Sequence, residues 1–156
     1  MEFLGNIFDG SFLTLLGAAL AALLAGVGST KGVGIAGEAA AGVLTENPDL
    51  FGSTLLLQAL PGTQGIYGLL VAFLMMGKVS PDLTVAQGGM YLASALPIAI
   101  VGLVSGIHQG RASVAAMGVI AKRPDQLAKS MMYPAMVETY AVLALLISIL
   151  LMNQVG

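Results

Sequence analysis

The sequence predicts an all-α membrane protein of four transmembrane helices, built as two copies of one helical hairpin. Hydrophobic residues make up 57% of the 156 residues and charged residues only 9%, whereas a soluble domain usually carries about a quarter charged residues. Four long apolar segments each exceed the roughly 20 residues that a helix needs to cross a bilayer. The sequence also matches itself at a fixed offset, which indicates a duplication.

Short polar connections separate the four apolar segments. The segments cover roughly residues 11–44, 52–76, 85–120 and 128–152. Proline stands in every connection, at Pro48, Pro81 and Pro124, and it ends a helix because it lacks a backbone N–H. The first and third segments are longer than the bilayer requires, so we expect both to project beyond it.

An offset of 76 residues aligns the second half of the chain with the first half without a gap. The matched positions include Gly26 with Gly102, Gly34 with Gly110, Gly42 with Gly118 and Pro48 with Pro124. The two copies differ at Gly62, which corresponds to Glu138. We therefore divide the chain into a first hairpin, residues 1–79, and a second hairpin, residues 80–156, that carries the carboxylate.

Composition excludes several classes of function. A net charge of -2, with no basic cluster beyond Lys122-Arg123, disfavours nucleic acid as a partner. The chain has no cysteine and a single histidine, His108, so it offers neither a thiolate nucleophile nor a histidine-rich metal site. Residues 32–37 match a dinucleotide fingerprint, but they lie inside an apolar segment and not after a strand. Close packing of glycine-rich helices explains them better.

Glu138 is the main chemical group that the sequence offers. Glu138 is the one charged residue between Lys129 and the end of the sequence, so it is predicted to lie deep in the fourth helix. A central acid costs about 2.5 to 3.5 kcal/mol on insertion scales and usually marks a transport path. A structural carboxylate bonded to a neighbouring helix is the alternative.

Several polar side chains are predicted to lie at the depth of Glu138. Gln109 precedes the turn at Arg123-Pro124 by about as many residues as Glu138 follows it, roughly 22 Å at helical rise. The repeat places Thr63 and Gln64 within about one helical turn of this level. Spacing of i, i+3, i+4 and i+7 puts four residues on one helix face: Leu60, Thr63, Gln64 and Tyr67.

This predicted layer contains one carboxylate and several neutral oxygens, which suits a monovalent cation. One negative charge balances Na⁺, whereas Mg²⁺ or Ca²⁺ would leave a buried positive charge. A proton is the alternative cargo, because protonation also neutralises Glu138. A proton needs fewer oxygen partners, and this difference slightly favours sodium.

Other polar or special residues in the apolar segments allow two interpretations each. Lys31 and Glu38 share a helix face, which is either hydrated or internally paired, and His108 is more readily a packed residue than a relay. Three prolines inside the segments predict either kinks beside a site or simple bending: Pro61, Pro97 and Pro134.

Basic residues indicate an orientation in the membrane. The connection between the third and fourth segments carries Lys122, Arg123 and Lys129, whereas the N-terminal tail carries Glu2 and Asp9. The positive-inside rule then places the two Pro-Asp loops in the cytoplasm and both termini outside. The N-terminal residues lack the positive charge of a secretory signal, so we expect the first segment to be retained.

Three sequence motifs resemble one known family over nearly the whole chain. Residues 61–68 read PGTQGIYG, residues 107–110 read IHQG and residues 136–140 read MVETY. Together they resemble the duplicated proteolipid of V-type ATPases, most closely its bacterial sodium-translocating rotor form. The family's sodium ligands correspond here to the Leu60 carbonyl, Thr63, Gln64, Gln109 and Glu138. Tyr67 corresponds to the family's hydrogen-bond donor to the carboxylate.

The resemblance implies a rotor subunit that is not catalytic by itself. About ten copies would close into a ring in a bacterial plasma membrane, with the first and third helices inside. A stator subunit would present an arginine to Glu138, a central-stalk subunit would bind the cytoplasmic side, and partner subunits would hydrolyse ATP. No organic cofactor is implied. The same rotor carrying protons is one alternative, and a small four-helix proton-coupled drug exchanger is a more remote one.

Overall fold

The computed structural model of the chain describes residues 9–155. Within this range, every long secondary-structure element is a helix. We number the helices α1 (Gly10–Glu46), α2 (Phe51–Ala59), α3 (Thr63–Met76), α4 (Val85–Lys122) and α5 (Leu127–Met152). Four helical spans are long and apolar enough to cross a membrane: Gly10–Glu46, Pro48–Met76, Val85–Lys122 and Pro124–Met152. We call these the first to fourth spans. The predicted all-α architecture with four membrane spans is confirmed, while Glu2 and Gly156 lie outside the described residues.

The ends of the long helices follow from local sequence. Asp9 caps α1, since its Oδ1 accepts a hydrogen bond of 2.7 Å from the Phe12 N–H. Thr84 caps α4, and its backbone N–H donates to Gln87 Oε1 at 3.0 Å in return, which completes a capping box. A 3₁₀ turn that opens with Pro48 follows α1, and an equivalent turn that opens with Pro124 follows α4. The predicted stops therefore lie at the two Pro-Asp sequences.

The first and third spans pack against each other through glycine. A Cβ atom added to Gly28 would lie 2.5 Å from the Gly102 carbonyl oxygen, and one added to Gly110 would lie 2.5 Å from the Gly32 Cα. Such close backbone packing through small residues contributes to helix association in lipid. Residues 32–37 lie inside continuous α1 and not between a strand and a helix, as a dinucleotide fingerprint requires. Gly32 of this segment packs against Gly106.

Two apolar clusters stabilise the bundle, and a polar layer lies between them. One cluster includes Val71, Met75 and Ile98, and the other includes Leu57 and Met117. On the second and third spans, the residues between these clusters include the buried glutamines described below. At 37 and 38 residues, the first and third spans are about 55 Å long, well beyond the roughly 30 Å hydrocarbon core. The predicted excess length is present.

Replacing Gly110 by alanine tests the glycine contact. The added methyl would meet the backbone of Gly32, and such overpacking costs about 1 to 3 kcal/mol. We expect a clearly lower unfolding temperature in detergent, measured by circular dichroism. Gly118, on the same helix, has nothing within 4 Å of an added Cβ. Gly118→Ala should be neutral or slightly stabilising, and an equal loss in both variants would contradict the packing account.

Candidate functional site

The polar layer surrounds the half-buried carboxylate of Glu138 on α5. The Tyr67 hydroxyl on α3 donates to Glu138 Oε1 at 2.6 Å, and Gln109 Nε2 on α4 donates to Glu138 Oε2 at 3.2 Å. Both carboxylate oxygens therefore accept a hydrogen bond from another span. Charge-assisted bonds of this kind hold the group in one orientation inside the membrane.

Two buried glutamines extend the layer from the carboxylate to the second span. Gln64 and Gln109 are both 0% exposed, and Gln64 Nε2 donates to Gln109 Oε1. The Thr63 hydroxyl lies 3.5 Å from Gln64 Oε1. A buried amide without partners is costly, so these contacts stabilise both glutamine side chains. They also join the second, third and fourth spans through one continuous set of polar groups.

A 3₁₀ turn at the proline of the second span brings a backbone carbonyl to this layer. Leu60–Gly62 form the turn between α2 and α3, and the Thr63 hydroxyl donates to the Leu60 carbonyl at 3.0 Å. The Gly65 N–H donates to Ser29 Oγ on α1 at 2.7 Å, which fixes α3 to the first span one residue after Gln64. Pro97 and Pro134 lie inside continuous helices. Of the three prolines inside the predicted apolar segments, only Pro61 therefore accompanies a change of helix type.

The site carries one formal negative charge. No group of three or more His, Cys, Asp or Glu residues that could hold a metal ion occurs within residues 9–155. The ion pair recorded in this range joins Arg123 to Asp125 at 3.8 Å, with both side chains well exposed. A single carboxylate surrounded by neutral oxygens can be neutralised by one monovalent cation or one proton.

The structure brings six of the residues singled out from the sequence into this layer: Leu60, Thr63, Gln64, Tyr67, Gln109 and Glu138. Lys31 and Glu38 are exposed on α1 and make no ion pair within the described part of the chain. His108 lines a different groove, between the third and fourth spans. Ser29 was not predicted from the sequence, where its one signal is its match with Ser105 at the 76-residue offset.

Comparisons with known proteins agree with this architecture. The family model of the ATP synthase C subunit matches residues 16–75 and again residues 92–151, so the two matches have the same 76-residue offset as the repeat. The V-type sodium ATPase subunit K of Enterococcus hirae is 46% identical over 151 residues, 97% of each chain. The A-type ATP synthase subunit K of Methanocaldococcus jannaschii is 42% identical over 92% of this chain and 63% of its own. The 16 kDa proteolipid of the human V-type proton ATPase is 22% identical over 92% of this chain and 93% of its own.

Replacing Tyr67 by phenylalanine tests the carboxylate's hydrogen bond. A bond to a charged group contributes about 1.5 to 3 kcal/mol, and its loss leaves Glu138 Oε1 without the Tyr67 donor and free to react with a carbodiimide. We expect a hydrophobic carbodiimide to label Glu138 severalfold faster in Tyr67→Phe, measured by mass spectrometry. Tyr140 lies on α5 and is 66% exposed, so Tyr140→Phe should leave the rate unchanged. Equal rates in the wild type and both variants would refute the role of Tyr67.

Proposed function

This chain belongs to the family of the ATP synthase C subunit, and from that premise we propose that it is a rotor-ring subunit of a V-type ATPase that carries Na⁺ on Glu138. It is a multi-pass membrane protein and not a catalytic subunit, so ATP hydrolysis falls to partner subunits. One observation carries the proposal. A single membrane carboxylate has both oxygens oriented by Tyr67 and Gln109 beside further oxygen groups.

The proposed sodium ligands are the five oxygens that converge on the layer. They are the Leu60 carbonyl, Thr63 Oγ1, Gln64 Oε1, Gln109 Oε1 and a Glu138 oxygen. Gln64 now directs Nε2 toward Gln109 Oε1, so cation binding requires the Gln64 amide to turn and present its oxygen. Rotation of a terminal amide is a small change. Gln109 keeps its bond to Glu138, and Tyr67 holds the carboxylate without binding the ion.

Neutralisation explains how such a carboxylate could pass along lipid. A bare charge facing hydrocarbon is strongly penalised, whereas a carboxylate with a bound Na⁺ has no net charge. In the proposed cycle, an arginine of the stator subunit attracts the carboxylate and displaces the ion into an exit path. Rotation of a ring of about ten copies then brings the next loaded subunit to the stator.

The proposed orientation places both Pro-Asp loops in the cytoplasm of a bacterial cell, where a central-stalk subunit would bind. Lys122 ends the third span, Arg123 caps it, and Lys129 lies in the first turn of α5. All three basic side chains are exposed at this end of the bundle. The positive-inside rule supports this assignment, with both termini on the outer side of the plasma membrane.

Sodium protection of Glu138 tests the proposed cargo. Carbodiimides react with the protonated carboxyl, so a bound Na⁺ should block labelling. We expect millimolar Na⁺ at fixed pH to slow labelling of the purified assembled protein at least tenfold, while K⁺ at equal ionic strength has no such effect. A labelling rate that is the same with and without Na⁺ at every pH would instead establish the proton-carrying alternative.

The glutamines provide a matched pair of variants for the same assay. Gln64→Leu removes one proposed ligand and should raise the Na⁺ concentration needed for protection at least tenfold. Gln58 lies on the same span, and its side-chain amide lies against Gly37 on α1 and not in the polar layer. Gln58→Leu should therefore retain wild-type protection. Equal sodium requirements in the two variants would exclude Gln64 as a ligand.

A further inference from the structure

A groove of about 590 Å³ lies between the third and fourth spans and is unfilled in the single chain. Its walls are largely apolar and include Val101, Val104 and Tyr140, and His108 lies at its rim. Ser105 also lines it, and the buried Ser105 hydroxyl has no hydrogen-bond partner within the described residues. A buried hydroxyl without a partner needs an explanation, and a contact made from outside the single chain would supply one.

The internal repeat identifies an equivalent groove that is already filled. At the 76-residue offset, the residues that line the groove correspond to residues of the first hairpin. These include Ala25, Gly28, Ser29, Gly32 and Gln64. The third span of the same chain occupies this equivalent groove, because its three glycines face these positions. The close pairs are Gly102 with Ala25, Gly106 with Gly28 and Gly110 with Gly32.

The face that would fill the empty groove is also present in the chain, on the other side of α1. Gly26, Thr30 and Gly34 correspond at the same offset to the three inserted glycines of the third span. A Cβ at Gly26 or Gly34 would meet nothing within 4 Å in the described chain. The groove and this glycine face are thus both uncovered within the described chain.

We propose that the groove receives the first span of a second copy of this chain, in the register that the internal α1–α4 contact sets. Transferring each internal pair by 76 residues places Gly26 against Val101 of the other copy and Gly34 against its His108. Thr30 then lies beside Ser105 and its unpartnered hydroxyl. This inference rests on the ring named in the proposed function, and it adds the residues and register of the contact.

Charge complementarity supports the register. In the internal contact, residues 76 apart lie at about one level, so Arg111 is level with residue 35 of the other copy. Glu38 lies three residues further, about 4.5 Å along the axis, and its side chain tilts back toward that level because Cβ atoms point to the helix N-terminus. Both groups are exposed and make no ion pair within residues 9–155.

The two charged groups also lie on the same side of the contact. Viewed along the helix axis, the side chain of Glu38 is turned by about 40° from that of Gly34. The side chain of Arg111 is turned from that of His108 by about 60° in the opposite direction. On two parallel helices that face each other, opposite rotations direct side chains to the same side. The register therefore pairs Glu38 of one copy with Arg111 of the next.

A charge swap tests the pair in the assembled protein. Arg111→Glu should lower the temperature at which the oligomer dissociates in detergent by several degrees, because it places two carboxylates together. The double variant Glu38→Arg/Arg111→Glu restores opposite charges and should recover most of that loss. A double variant no more stable than Arg111→Glu alone would overturn the pairing.

Cysteine cross-linking tests the register directly, because the natural chain contains no cysteine. The internal equivalent of the Gly26–Val101 pair has its Cβ positions 2.8 Å apart, within reach of a disulfide after a small adjustment. Oxidising Gly26→Cys/Val101→Cys should give a ladder of linked chains on a denaturing gel. The Cβ at Gly26 meets nothing in its own described chain, so each link joins two copies.

Gly26→Cys/Gly118→Cys is the matched control, since both glycines are open and their levels differ by about 24 Å. It should give no ladder. An oligomer seen by native mass spectrometry without a ladder from the first pair would overturn the register and leave the proposed function intact. A wild-type protein that forms no oligomer would overturn both.

Discussion

The arrangement of the whole bundle depends on keeping one carboxylate compensated inside the membrane. Glu138 accepts hydrogen bonds from Tyr67 and Gln109, and Gln109 is in turn bonded to Gln64. These groups come from three spans, so the spans must stay in register for the site to exist. Glycine packing between the first and third spans provides that rigidity. The two apolar clusters lie on either side of the polar layer and separate it from the ends of the bundle.

The duplication explains why a chain of four spans has a single site. At the 76-residue offset, Gly62 corresponds to Glu138, Val33 to Gln109 and Gln64 to Tyr140. The first hairpin supplies polar residues that face the second hairpin, and it carries Gly62 where the second carries the carboxylate. The site consequently forms between the two hairpins of one chain.

Helical arithmetic predicted the level of the site, because helical rise is fixed and the turns are marked by Pro48 and Pro124. Gln109 and Glu138 are in hydrogen-bond contact, as their equal distances from the turn indicated. The sequence could not predict whether the oxygen or the nitrogen of the Gln64 amide faces Gln109, since turning the amide changes neither the residue nor its helix face. Nor could it choose between kinking and bending at Pro61, Pro97 and Pro134, because the outcome depends on partners such as Ser29 on another helix.

A high-resolution electron microscopy map of the purified assembly in sodium buffer tests the central claim most directly. The account predicts density for one cation per chain among the oxygens of Glu138, Gln109 and Gln64, with the Gln64 amide turned from its present orientation. A map in which Glu138 points into bulk water, or in which the two glutamines lie at other depths, would contradict the account.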